Sequence, residues 1–270
     1  MEQDVNNTAI IAGIPENSSA SPNKVPEVAL AFWVIKIAAT TLGETGGDAL
    51  SMTLNLGYAL STLILFGIFA VAVSAQVASK RFHPFLYWTV IVATTTVGTT
   101  MADFADRSLG VGYVGGSLML FAILMITLGI WKSVIGSVSV NNITSPKAET
   151  FYWLTILFSN TLGTALGDFL ADAGPGYEGA SVVFAGVLAL IAAAYFYTRI
   201  SHTMLFWAAF ILTRPLGATV GDILTKPGAD GGLDLSRFSS SAVIAVFIIG
   251  CIALTSQAAG GHPGTRENSR

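Results

Sequence analysis

The sequence predicts an all-α integral membrane protein, with eight transmembrane helices arranged as four parallel two-helix repeats in a pseudo-fourfold or pseudo-twofold bundle. Two observations lead there. Apolar side chains make up 53% of the 270 residues and charged ones only 11%, with a mean hydropathy of +0.67, whereas about a quarter of the residues in soluble domains are charged. The second is an ungapped internal repeat. Ten residues after Trp33, Trp88, Trp153 and Trp207 stand Gly43, Gly98, Gly163 and Gly217, and fifteen after them stand Asp48, Asp103, Asp168 and Asp222.

Positions 3, 7, 11, 15 and 19 after each Trp are successive i, i+4 steps, so on a helix they form one stripe. In the first copy the stripe reads Lys36, Thr40, Glu44, Asp48, and in the second Ile91, Thr95, Thr99, Asp103, Arg107. The third gives Ile156, Asn160, Thr164, Asp168, Asp172 and the fourth Phe210, Arg214, Ala218, Asp222, Lys226. Each is a polar or charged line on an otherwise apolar helix.

Apolar runs long enough to cross a hydrocarbon core, roughly 20 residues each, fall near 28–50, 56–79, 85–103, 111–132, 151–170, 179–198, 204–224 and 239–258. They divide the chain into repeats at 26–82, 83–147, 148–201 and 202–259, between a polar tail at 1–25 and another at 260–270, both read as disordered and cytoplasmic. The N-terminal tail lacks the basic, apolar, small-residue order of a signal peptide. The second helix of each pair follows a glycine turn at Gly57, Gly112, Gly176 or Gly231. Two crossings per repeat start every repeat on the same side, so the repeats are parallel and can close into a ring, with the striped helices toward the axis.

Orientation follows from basic residues in short loops. Connections between repeats carry Lys80, Arg81, Lys132, Lys147 and Arg199 and the tails add Lys24, Arg266 and Arg270, against Arg107, Lys226 and Arg237 in the turns within repeats. Both termini are predicted to be cytoplasmic, with the tryptophans in the cytoplasmic aromatic belt and the aspartates toward the outside.

A charge at the centre of a membrane helix costs about 2.5–3.5 kcal/mol or more, so Lys36, Glu44 and Arg214 must face protein, water or each other. The functional reading is an axial polar path with ion or proton sites at Glu44, Asp48, Asp103, Asp168 and Asp222. Thr40, Thr95, Thr99, Asn160 and Thr164 line it, and a Glu44–Arg214 ion pair gates it. Oxygen ligands suit hard cations or protons, without naming the metal. The structural alternative is that threonines bond their own backbone, glycines at positions 10 and 14 allow close helix packing, and aspartates cap turns. Asp103 and Asp106 with Arg107, like Asp168 and Asp172, could bind a metal or head group at the outer surface.

Other chemistry finds no support. The single Cys251 sits in an apolar run, the three histidines lack zinc-ligand spacing, and no phosphate-binding loop, dinucleotide fingerprint or nucleophile elbow occurs. No enzyme activity, cofactor or nucleic-acid partner is expected; the partners are the lipid bilayer and a small cation or proton. The repeated core T-x-G-x-x-x-G-D, as in TLGTALGD at 161–168 and less closely ATVGD at 218–222, resembles the bacterial membrane-anchored proteins built from a repeat of unknown function (number 347). That resemblance implies a location in the bacterial inner membrane. The function expected from the residues is a small transporter or channel-like permease for a cation, open to proton coupling; the alternative is a non-transporting membrane scaffold or accessory protein.

Overall fold

The computed structural model describes residues 24–138, 143 and 145–259. The expected tails thus fall outside the described residues, apart from Lys24 and Val25, and these two are packed. Lys24 Nζ donates to the Val77 carbonyl and to Glu149 Oε2, at 3.1 and 2.8 Å, and Val25 is buried.

Eight helices follow in order: α1 (Leu30–Asp48), α2 (Gly57–Ala78), α3 (Pro84–Asp103), α4 (Gly112–Ile135), α5 (Pro146–Asp172), α6 (Gly176–Tyr197), α7 (His202–Thr225) and α8 (Arg237–Leu254). One π-helical turn prolongs α1 over Ala49–Thr53 and another prolongs α3 over Phe104–Ser108. Pro84 and Pro146 open α3 and α5 in the first turn, where an N–H has no intrahelical partner to lose. Ser145 caps α5 by accepting from the Ala148 N–H at 3.2 Å, so this helix starts ahead of the apolar run at 151 with a polar turn. The turns between paired helices depend on glycine: Gly57, Gly112, Gly176 and Gly231 have φ of +72°, +71°, +65° and +82°, a region that a Cβ strongly disfavours.

α1, α3, α5 and α7 form an inner ring, each touching the next, with α7 returning to α1. The even helices stand outside it, and each packs mainly on the inner helix of the following repeat: α2 on α3, α4 on α5, α6 on α7, and α8 on α1. Because α8 covers α1, the fourth repeat closes the ring onto the first. The chain ends are drawn together there: Pro26 bridges Ala259 in antiparallel fashion, and Glu27 N–H donates to the Ala258 carbonyl at 3.0 Å. Hydroxyl pairs join the two layers, Thr45 with Ser241 and Ser181 with Thr219, both at 2.8 Å.

Among the described residues, seven of the helices are long and apolar enough to cross a membrane, against the eight expected. The exception is α1, whose 19 residues include Lys36, Glu44 and Asp48. Inner and outer helices differ in how much of them the protein covers: 72% of the apolar window of α5 is buried but only 17% of that of α4. The outer faces expose Leu63, Val71, Leu118, Ile126, Val182 and Val243.

The inner ring closes tightly because one contact recurs around it. The position-10 glycine of each inner helix receives the position-7 region of the next. A methyl group on Gly43 would lie 2.5 Å from Thr95 Cβ, one on Gly98 3.2 Å from Thr161 N, one on Gly163 2.6 Å from Arg214 Cγ, and one on Gly217 2.5 Å from Thr40 Cβ. Overpacking a site of this kind costs typically 1–3 kcal/mol. Gly217→Ala is therefore expected to lower stability in detergent by about that amount, whereas Gly186→Ala, on the exposed face of α6 with open space around it, should be neutral or slightly stabilising. Thermal unfolding of the two variants side by side checks this; equal melting temperatures would remove the packing role from the glycine.

Candidate functional site

The ring interior is layered by position along the repeat. At the Trp end it is aromatic. Phe32, Tyr87, Tyr152 and Phe206, each immediately before its Trp, are buried with Trp88 and Trp153, and neighbouring rings meet edge-on or tilted at centroid distances of 5.0–6.4 Å. The phenol oxygens of Tyr87 and Tyr152 lie 3.2 Å apart. Trp33 and Trp207, at the same end, are only partly buried. Four helix ends around an axis leave a gap that large flat side chains fill, so the aromatic pairs turn inward. The repeated Phe or Tyr before each Trp was the signal in the sequence.

Next come positions 3 to 11, where all five residues assigned to the polar path are 0% exposed. Their hydroxyls sit between carbonyls of their own and the adjacent helix: Thr40 lies 2.8 Å from the Ile37 carbonyl and 3.1 Å from Thr213, Thr95 2.8 Å from Val92 and 3.1 Å from Ala39, and Thr99 3.2 Å from Thr95 and 3.1 Å from Gly43. Thr164 bonds back to its own helix at the Asn160 carbonyl, and Asn160 Nδ2 donates to Thr94 Oγ1 at 3.0 Å. Lys36 extends into this layer to within 3.5 Å of Asn160 Oδ1, its ammonium 4.1 Å from the Phe210 ring centroid.

Glu44 and Arg214 meet here. Arg214 Nη2 donates to Glu44 Oε2 at 3.1 Å and to Thr99 Oγ1 at 2.6 Å, and Thr99 Oγ1 lies 3.2 Å from the same carboxylate oxygen. Arg214 reaches this point because Gly163 leaves room for its stem.

At position 15 the four aspartates form a layer, all at most 5% exposed. Cations from position 19 join them in two pairs. Arg107 bridges Asp103 and Asp168 at 3.1 and 3.3 Å, and Lys226 bridges Asp48 and Asp222 at 3.2 Å each, with Arg237 of α8 at 3.6 Å from Asp48. Repeats 2 and 3 are thus tied by one cation and repeats 4 and 1 by another, a twofold pattern imposed on a fourfold ring. Burial opposes the charge on Lys226, but Asp222, Asp48 and Glu44 outweigh it and hold its pKa above the ordinary lysine value, so it stays cationic. Asp106, expected at the surface, lies in the π-helical turn and is buried against Gly116 of α4; Asp172 is exposed.

Carboxylate oxygens of Glu44, Asp48 and Asp222 lie within 4.8 Å of one another. Asp48 Oδ1 is buried without a hydrogen-bond donor among the described residues, and Asp222 Oδ1 faces the Lys226 ammonium at 3.2 Å. Three converging carboxylates with spare lone pairs could hold a hard cation or share protons. The sequence placed Arg107 and Lys226 on the stripe beside Asp103 and Asp222, but their reach across to Asp168 and Asp48 went unread, and Arg237 counted only as a loop charge. A basic residue at position 19 in the second and fourth copies alone was the available signal.

Removing one partner of a buried ion pair costs about 3–5 kcal/mol, because the other charge is stranded. Glu44→Gln is expected to lose stability on that scale, and Glu44→Gln with Arg214→Gln to regain most of it. Unfolding of the single and double variants in detergent measures the coupling, and additive effects would mean the pair is not formed.

A family model described as Repeat of Unknown Function (DUF347) matches residues 31–82, 86–134, 151–201 and 205–259. Each match covers one inner helix and the outer helix that follows it. Among curated proteins and among solved structures nothing matches. With four copies of the repeat spread over most of its length, the chain belongs to the DUF347 family.

Proposed function

We propose that this protein is a small multipass membrane permease that binds a cation or protons at the carboxylates of the helix ring, with Glu44, Asp48 and Asp222 as the primary site. The observation that carries this reading is the convergence of those three buried carboxylates inside a ring of apolar helices. Spending five acids in such an interior is costly, and ionisable groups kept inside membrane bundles typically mark ion or proton pathways. Asp103 and Asp168 form the second half of the layer.

The Glu44–Arg214 pair acts as the gate in this reading. A cation or proton arriving at Glu44 competes with Arg214 for the carboxylate and releases it. Access comes from the aspartate end, since the aromatic layer fills the other. Lys36 and Arg214 on the inner side of Glu44 repel a bare cation, so passage requires both to move.

The same reading places the protein in the bacterial inner membrane with both termini cytoplasmic. Arg107, Lys226 and Arg237 turn inward onto aspartates, which leaves the aspartate end with few solvated basic groups. The other end keeps Lys80, Arg81 and Arg199, and the Lys and Arg bias sets orientation.

A scaffold reading has one observation in its favour: the hydroxyls of Thr40, Thr95 and Thr99 are all engaged by backbone carbonyls of their own or the adjacent helix, as in an interior built only to hold together. Flux separates the two. In proteoliposomes, saturable uptake of sodium, potassium, manganese(II) or protons is expected, reduced at least tenfold by Asp48→Asn or Glu44→Gln and unchanged by Asp230→Asn on the exposed turn. Folded protein with no flux of any of the four ions would leave the scaffold.

For orientation, single cysteines at Lys80 and at Asp230 in a Cys251→Ser background should label from opposite sides, Lys80 from the cytoplasm. Labelling of both from one side would overturn the topology.

A further inference from the structure

Two long basic side chains cross the ring on different diagonals. Lys36 leaves α1 and reaches Asn160 on α5, the opposite inner helix; Arg214 leaves α7 and reaches Thr99 on α3. Both are 0% exposed. Their donors exceed the acceptors around them. Arg214 Nε and Nη1 have no partner among the described residues. The ammonium of Lys36 has one long hydrogen bond and the face of Phe210.

Charge is also unevenly placed. Arg107, Lys226, Arg237 and Arg214 each have a carboxylate within 3.6 Å, whereas Lys36 has no carboxylate partner among the described residues. The nearest acid along α1 is Glu44, eight positions on and roughly 12 Å at the helical rise, and it is already paired with Arg214; the aspartate layer lies about 18 Å along. A buried cation with no counter-ion nearby is the arrangement that a low-dielectric interior tolerates least.

We propose that Lys36 and Arg214 together form a binding site for a small monovalent oxyanion, either an inorganic one of nitrate type or a short carboxylate. Its oxygens accept from Arg214 Nε and Nη1 and from Lys36 Nζ, and its charge balances Lys36. The Phe210 ring walls the site, and Asn160 has its amide nitrogen turned away to Thr94, so that its carbonyl oxygen faces the ammonium. Close packing on Gly163 beside Arg214 restricts the site to anions of a few heavy atoms. Guanidinium suits a planar oxyanion because its donors lie in one plane. This site shares Arg214 with the Glu44 pair but uses other donors of the guanidinium, and it does not rest on the cation reading.

The test uses the purified full chain in detergent, with thermal unfolding followed while sodium gluconate is replaced by sodium nitrate or sodium formate at constant ionic strength. Sodium is fixed throughout, so the outcome is independent of whether the carboxylates bind a cation. A saturable rise in melting temperature with nitrate, with formate or with both is expected, and the arm that responds identifies the oxyanion class. Lys36→Met should fold, melt at or above the wild-type temperature in gluconate, and lose the anion response; Arg214→Lys should weaken that response at least tenfold in midpoint concentration. The proposal is overturned by the absence of a saturable response to both anions, or by a response that Lys36→Met retains. A Lys36→Met variant that melts below wild type in gluconate would also overturn it, because Lys36 would then be a structural partner of Asn160.

Discussion

The close approach of the four inner helices at their position-10 glycines is the constraint on which the rest of the structure depends. Each glycine accepts the position-7 residue of the next helix, and small residues at such crossings let backbones approach without the drive of water exclusion. That approach brings hydroxyls within reach of carbonyls on the adjacent helix. It also encloses the side chains at positions 3 to 15, which are buried away from solvent and must find their partners inside the ring.

Pairing then shapes the charged interior. Four equivalent aspartates cannot lie side by side without cations between them, and with basic residues only at position 19 of the second and fourth repeats, the layer divides into two bridged pairs. Fourfold backbone packing and twofold electrostatics coexist because backbone packing depends on glycine spacing, common to all repeats, while charge depends on single side chains that are not. The deeper pair, Glu44 and Arg214, is further specialised: it joins the first repeat to the fourth, the junction that α8 also covers from outside.

Much of this was legible in the chain. The Trp, Gly and Asp offsets fix four helices with a common inward face, since i, i+4 spacing leaves a helix only one way to present such a stripe. The pairing of Glu44 with Arg214 follows from their charge, their depth and the closure of the ring. The glycine turns are written in the sequence too, as Gly57, Gly112, Gly176 and Gly231. The threonines follow the structural alternative in part, since Thr40 and Thr95 lie 2.8 Å from a carbonyl of their own helix and 3.1 Å from one on a neighbour. What the sequence did not give is the aromatic plug, in which Trp88 and Trp153 are buried while Trp33 and Trp207 stay partly exposed.

The sequence by itself determined the repeat, the helical class and which residues share a face, because these depend on local spacing and composition. Tertiary structure alone decided that each outer helix packs on the next repeat's inner helix and that Arg107 and Lys226 divide the aspartates into pairs. It alone decided that Lys36 crosses the axis without a carboxylate partner among the described residues. These are relations between side chains far apart in sequence, set by which helices become neighbours, and no periodicity within one repeat encodes them.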